Sequence, residues 1–269
     1  MQLGRLEILL TPGLLVSRRS ALLGSRRGGD PAVSEPIEQT GTGTDWRPAV
    51  AALRGLLVRE ARYAMRVDIA LSGLWVRPHL VPAMPGNLGA DEMLLLARAH
   101  FGRQYPEASQ ESWTFRLARQ GPRLLAAAME SSLLEAVKGA NAAAGARLRR
   151  MEPLFSWVCD RFEKSLATAT GWMLLDEPGL LTLACLEHGQ LTSLYPQRCD
   201  GDQDALAVRL LERQSALCAH QSAEVHVFSV DGRIIRLPAP WRVARHQRVF
   251  DPEMPTEAPP VPAPLSRQL

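Results

Sequence analysis

Four groups of residues in this chain have types and spacings that could do chemistry. Asp176 and Glu177 close an apolar run that begins at Gly171, and Pro178-Gly179 separates them from a second apolar run that begins at Leu180. A phosphate cradle needs converging backbone N–H groups and an acid that holds a metal. This turn has the acid, but Pro178 carries no N–H donor and Glu177 adds a second negative charge. Asp200, Asp202 and Asp204 stand before a helical pattern. They lack the glycine and distant glutamate of an EF-hand loop, so Asp202 is expected to cap the helix. Cys218, His220 and His226 match no metal-ligand spacing, and structural or surface roles are expected for them. Arg18, Arg19, Arg26 and Arg27 form one basic cluster; Arg242, Arg245, His246 and Arg248, beside Trp241, form another. Either could meet the phosphates of a lipid headgroup or a nucleic acid. A solvated face is the commoner role for such clusters, then a membrane surface or acidic partner, with nucleic acid last.

Other chemistries lack their anchors. No Gly-x-x-x-x-Gly-Lys-Ser/Thr stretch and no Gly-x-Ser-x-Gly elbow is present. Gly41-Thr-Gly-Thr44 lies in a low-complexity stretch without a preceding strand and reads as linker. The net charge of +3 is too mild to imply nucleic acid by itself. The four cysteines form no Cys-x-x-Cys pair, and Cys159 and Cys185 read as small core residues, which points to a reducing, cytoplasmic setting. No apolar run reaches the length of a membrane span, and Arg5 and Glu7 interrupt the N-terminal apolar stretch, so neither a transmembrane helix nor a signal peptide is expected.

The elements that would position these residues follow from periodicity. Residues 5–10 and 14–19 flank Thr11-Pro12-Gly13 and predict a β-hairpin. Residues 24–44, rich in Gly, Ser and Thr, predict a mobile loop. Asp45 is expected to cap a helix with Val50, Leu53, Leu56 and Leu57 on one face. Met65–Leu71 reads as a half-buried strand and Leu74–Leu80 as another. A helix is expected from Gly89 to about Tyr105, strands at Trp113–Ala118 and Arg123–Met129, and a helix from Ser131 to about Ala144. Arg147–Met151 is strand-like, and Pro153 suits the first turn of a helix carrying Phe155, Val158, Phe162 and Leu166. Three strands follow over 171–198, then a helix from Asp202 to about Cys218 and a strand at Glu224–Val230 ending at Asp231-Gly232. The Pro-rich residues from 251 onward predict an extended, disordered tail. Three strands, a helix and a further strand occur twice, which predicts an α/β fold of mixed sheets with helical cover.

Ile69-Ala-Leu-Ser-Gly-Leu-Trp-Val-Arg77, Val81-Pro82, Glu92 with Leu94-Leu-Leu-Ala-Arg98, and Gly145-x-Arg147-Leu148 with Pro153 precede the hairpin run 171–191. Together they resemble PilM-type actin-like pilus-assembly proteins and the cytoplasmic domain of the type II secretion L component. The resemblance extends over residues 1–235 and implies two ribonuclease-H-like halves, the actin-like ATPase architecture. Residues 1–150 would form the first half, 151–250 the second, and 251–269 the tail. It also implies that Asp176 and Gly179 mark the second phosphate hairpin of a nucleotide site. The first hairpin, Leu9-Leu-Thr-Pro-Gly13, has no acid and loses a donor at Pro12, and the adenosine-binding Gly-Gly is not evident. The reading that follows is a non-enzymatic scaffold with a degenerate nucleotide site and no cofactor. It would lie in the cytoplasm, peripheral at the inner membrane, with a bitopic inner-membrane assembly protein and a secretion ATPase as partners. The alternatives are an ATP- and Mg²⁺-binding ATPase using Asp176, and an adaptor whose arginine clusters meet nucleic acid or membrane.

Overall fold

The computed structural model describes residues 4–21, 31–38, 43–61, 65–81, 88–106, 112–120, 123–217 and 222–250. Two five-stranded sheets carry the chain. The first contains β1 (Gly4–Leu10), β2 (Leu14–Ala21), β3 (Val33–Pro36), β4 (Arg66–Leu71) and β8 (Arg147–Pro153), in the order β3-β2-β1-β4-β8. The second contains β9 (Gly171–Glu177), β10 (Leu180–Glu187), β11 (Gln190–Arg198), β12 (Glu224–Ser229) and β13 (Arg242–Arg248), in the order β11-β10-β9-β12-β13. The two orders are the same. In each, a three-stranded antiparallel meander continues into two parallel strands. The doubled strand pattern predicted from the sequence is therefore a doubled topology.

Helices α1 (Arg47–Glu60) and α3 (Ser131–Ala143) cover one face of the first sheet, where Leu6, Ile8, Leu53, Leu57, Ile69 and Val137 form a core. Helices α4 (Leu154–Arg161) and α5 (Glu163–Leu166) fill the space between the sheets. There Leu9, Val16 and Ala70 meet Phe155, Phe162, Leu175 and Phe228. Helix α6 (Gln203–Leu217) covers the far face of the second sheet through Leu206, Leu210 and Leu211. A third, antiparallel sheet of β5 (Arg77–Val81), β7 (Arg123–Glu130) and β6 (Trp113–Gln120) is inserted between β4 and α3. It packs on α2 (Ala90–Gln104) around Phe101 and Trp113.

Four expectations change. Residues 24–44 contain a strand: β3 pairs antiparallel with β2, and Ile37 behind it is buried. Backbone pairing to an open sheet edge places β3, although its composition is that of a loop. β4 is buried on both faces because it lies between two parallel neighbours under helical cover. Residues 72–76 form a turn, with Trp75 and Val76 donating to the Ser72 carbonyl, so the next strand begins only at Arg77. Helix α1 has Trp46 at its N-cap; Asp45, one residue earlier, accepts the Arg47 N–H at 3.0 Å. The 202–218 reading holds: Asp202 Oδ1 accepts the N–H groups of Asp204 (2.9 Å) and Ala205 (3.2 Å) at the start of α6.

The β10–β11 turn requires a glycine. Gly189 has φ +76°, and a Cβ there would stand 2.2 Å from the Ala167 carbonyl oxygen. Gly189→Ala is expected to cost at least about 2 kcal/mol, through both the positive φ and the backbone clash. Urea denaturation followed by circular dichroism would record it as a lower midpoint with an unchanged slope.

Candidate functional site

β9 ends in two carboxylates that point to opposite faces, as successive strand residues must. Asp176 faces α6. Its carboxylate receives Arg233 Nε at 3.2 Å and Arg233 Nη2 at 3.4 Å, while Arg233 Nη1 holds Asp204 of α6 at 2.8 Å. Arg233 is presented by a tight turn after β12. Asp231 Oδ1 accepts the Ser229 hydroxyl and the Arg233 N–H, and Gly232 takes φ +83°. One guanidinium thus bridges two acids from different elements. Asp176 is only 3% exposed. Burial pushes its pKa up to about 6, against the opposing pull of Arg233.

Glu177 faces the first sheet. Its carboxylate accepts the Gly73 N–H at 3.0 Å and a bond from the Ser72 hydroxyl, in the turn after β4. Burial drives its pKa up to about 7, with those two donors opposing the shift. The contact is close on both sides. A Cβ on Gly73 would stand 2.6 Å from Leu180 Cδ2, and one on Gly179 would stand 3.6 Å from Leu74 Cδ1. Gly179 has φ +79°, and its carbonyl accepts the Cys199 N–H at 3.0 Å. The 177–180 hairpin therefore rests directly on the 72–74 turn.

The first hairpin turn is also closed. Thr11 and Pro12 are buried, and the Thr11 N–H and hydroxyl both donate to the Leu14 carbonyl, at 2.9 and 3.0 Å. The Gly13 carbonyl accepts the Ile37 N–H, and the Leu10 carbonyl accepts that of Ser72.

The basic clusters separate. Arg18 binds Glu7, donates to the Phe250 carbonyl at 3.3 Å and lies over the Phe250 ring. Glu7 is shared with Arg5 and Arg161. Arg19 binds Glu60. Arg26 and Arg27 lie outside the described residues, as do Cys218, His220 and the tail from 251. Arg242 and Arg245 lie on β13, a strand the sequence reading did not anticipate, and Arg242 reaches Glu224 at 3.3 Å.

Two cavities lie elsewhere, and neither is lined by Asp176 or Gly179. One, of about 520 Å³, is bounded by β6, β7, β8, α4 and the β10–β11 turn. Leu117, Leu125, Met151, Phe155 and Leu191 make its walls apolar, and Glu152 lies among them. Glu152 is 9% exposed; its Oε2 pairs with Arg150 at 2.6 Å, and its Oε1 has no partner among the described residues. Burial pushes the Glu152 pKa up to about 7; Arg150 opposes the shift, while Asp160 and Asp68 add to it. The other cavity, of about 420 Å³, is rich in tryptophan and arginine. Among the described residues, no group of three or more His, Cys, Asp or Glu side chains is placed to hold a metal ion. Nor is any helix among them long and apolar enough to cross a membrane. The sequence reading missed Arg233, Glu152 and the tryptophan-lined cavity. Only the Asp231-Gly232 turn, which aims the residue after it, gave a hint of the first.

The sequence matches no protein-family model and no curated protein. Its fold matches solved structures. One is a Bacteroides thetaiotaomicron protein with an actin-like ATPase fold and unknown function, at TM-score 0.60 and 12% identity, covering 87% of this chain and 83% of that one. Another is the PilM-PilN type IV pilus biogenesis complex, at TM-score 0.56 and 18% identity, covering 77% of this chain and 65% of the other. A third is the cytoplasmic domain of EpsL, an inner-membrane component of the type II secretion system of Vibrio cholerae. It matches at TM-score 0.56 and 12% identity, covering 90% of this chain and 88% of that one. The chain has the actin-like ATPase fold.

The raised acids make stability depend on pH with a definite sign. Glu177 rises from 4.5 to about 7 and Asp176 from 3.8 to about 6. Between about pH 4.5 and 7 the folded chain therefore holds protons that the unfolded chain has released. These groups stabilise the fold most at the acidic end of that window, and the contribution is lost as pH rises through the folded values. Glu177→Gln keeps an acceptor for Gly73 and cannot ionise. Thermal melts from pH 5 to 7.5 are expected to fall less steeply for Glu177→Gln than for the parent chain.

Proposed function

We propose that this chain is a non-enzymatic scaffold of a type IV pilus or type II secretion assembly platform. It lies at the cytoplasmic face of the inner membrane and is held there by a bitopic membrane protein. Residues 1–150 and 151–250 are its two actin-like halves. The observation that carries the reading is the internal use of Asp176. In a nucleotide site of this fold that acid would serve a metal and a phosphate; here it is bound by Arg233, which also ties it to Asp204.

The neighbouring groups do not fit Mg²⁺ and a triphosphate either. Glu177 occupies the Gly73 N–H, Pro178 has no N–H to offer, and the Thr11 donors are spent on Leu14. Adding phosphates would place negative charge beside a second buried carboxylate and require Arg233 to leave its two partners. Scaffold duty needs the two halves held together, and the Glu177 carboxylate on the Gly73 N–H does that.

The partner's docking place in this reading is the cavity of about 520 Å³ between the inserted sheet, β8 and α4. Cytoplasmic segments next to a membrane span are enriched in Lys and Arg. An apolar segment with a basic side chain would fill the wall of Leu117, Leu125 and Phe155 and give the Glu152 Oε1 a donor. A solved structure of the same fold is the PilM-PilN type IV pilus biogenesis complex, which supports an assembly partner of this kind. A secretion ATPase is the second partner that such a platform would hold.

Two measurements test the proposal. With ATP and Mg²⁺, no phosphate release is expected, and no metal-dependent thermal stabilisation that Asp176→Ala abolishes; such a stabilisation would overturn the scaffold reading. Purification of the tagged chain from its native membranes is expected to bring down a bitopic inner-membrane protein. Glu152→Gln is expected to weaken that partner's cytoplasmic peptide about tenfold by calorimetry, because it leaves the peptide's cation unpaired.

A further inference from the structure

Trp46, Trp75 and Trp113 come from three separate places: the N-cap of α1, the turn after β4 and the start of β6. They line one groove of about 420 Å³, within the size range of small-molecule sites. Three guanidiniums line it: Arg47, which pairs with Asp45, Arg77 of β5 and Arg198 at the end of β11. Among the described residues neither Arg77 nor Arg198 forms an ion pair. Arg77 instead lies over the rings of Tyr105, at 4.3 Å, and Trp113, at 4.9 Å. The indole N–H of Trp75, a residue 6% exposed, has no acceptor among the described residues.

The acids in the groove have other duties. Glu130 accepts the Trp46 indole N–H at 3.1 Å and the Ser132 hydroxyl at 3.2 Å, and Asp45 pairs with Arg47 at 3.1 Å. Burial lowers the Arg77 pKa and Arg198 adds to the lowering, while Tyr105 and Glu130 oppose it. Two like charges facing one space, with donors left over, describe a seat for an anion. One arginine fork suffices for a planar carboxylate. Two guanidiniums from different strands suit the several oxygens of a phosphate better. The half-buried Trp46 has the Arg47 guanidinium over its ring at 5.1 Å, so a flat ring would stack on its other face.

We propose that this groove binds a phosphorylated small molecule carrying a flat ring, of the nucleotide class. Arg77 and Arg198 hold the phosphate without a metal, and the ring lies against tryptophan. The groove abuts the 177–180 hairpin, since Arg198 sits opposite Leu180 in the β10–β11 ladder, but it makes no use of Asp176. The inference does not depend on the scaffold reading, and the two fail separately.

The test is calorimetric titration with ADP in excess EDTA, with inorganic phosphate as competitor and hexaglutamate as a peptide control. Metal-free ADP binding is expected. It should be weakened tenfold or more by Arg198→Ala and by Arg77→Ala, and left unchanged by Asp176→Ala. Arg198 is exposed, so its variant is expected to melt like the parent chain; if Arg77→Ala melts low, Arg198→Glu serves as the second variant. Competition by inorganic phosphate supports the assignment of Arg77 and Arg198 to the phosphate. The proposal is overturned by no ADP binding at millimolar concentration, by binding that Arg198→Ala leaves intact, or by binding that disappears with Asp176→Ala. It is equally overturned if hexaglutamate binds and ADP does not, which would give the groove to an acidic protein segment.

Discussion

The Glu177 carboxylate on the Gly73 N–H is the contact on which the rest of the arrangement depends. It joins the last residue of β9, in the second sheet, to the turn that follows β4, in the first. A fully buried acid without donors would be costly; here a backbone amide and the Ser72 hydroxyl stabilise it in place. Gly73 leaves room for the close approach, since a Cβ there would press on Leu180 and the Glu177 carboxylate, and the approach brings Leu180 and Leu74 into the same seam. In a hinged molecule of two lobes this is where a cleft would open. Here it is where the two sheets are fastened, and β11 also packs against β5 beside it.

The same seam explains why the two carboxylates of β9 behave differently. Asp176 meets a cation and Glu177 meets neutral donors, yet burial is the largest influence on both. Low dielectric surroundings penalise the ionised form wherever it sits, and the partners only moderate the penalty. Chemistry at such a site would need water and charge to enter. Asp176 and Glu177 are 3% and 1% exposed, so both carboxylates sit largely out of bulk water.

Much of this fold could be read from the residues. The 171–198 meander was legible because its apolar runs are interrupted by Pro178-Gly179 and His188-Gly189, and α6 because Leu206, Leu210 and Leu211 recur at helical spacing. β3 and β13 were not legible. Val-Ser-Glu-Pro and Arg-Val-Ala-Arg-His-Gln-Arg have no apolar alternation, and it is the open edges of β2 and β12 that make strands of them. Arg233 was invisible as the partner of Asp176 because 57 residues separate them, and only the parallel pairing of β9 with β12 closes that distance. The tryptophan groove was hidden for the same reason: its parts come from separate elements. Arg18 and Arg19 looked like a surface patch, yet each is tied to a glutamate that topology supplies.

β13 closes one edge of the second sheet and carries Arg242, Arg245, His246 and Arg248. An unpaired strand edge invites the same strand of another copy to dock on it. A row of like charge makes such pairing repel itself, while a strand of opposite charge would still be admitted. A basic cluster on an edge strand thus weighs against edge-to-edge pairing of copies of this chain, whatever else it meets.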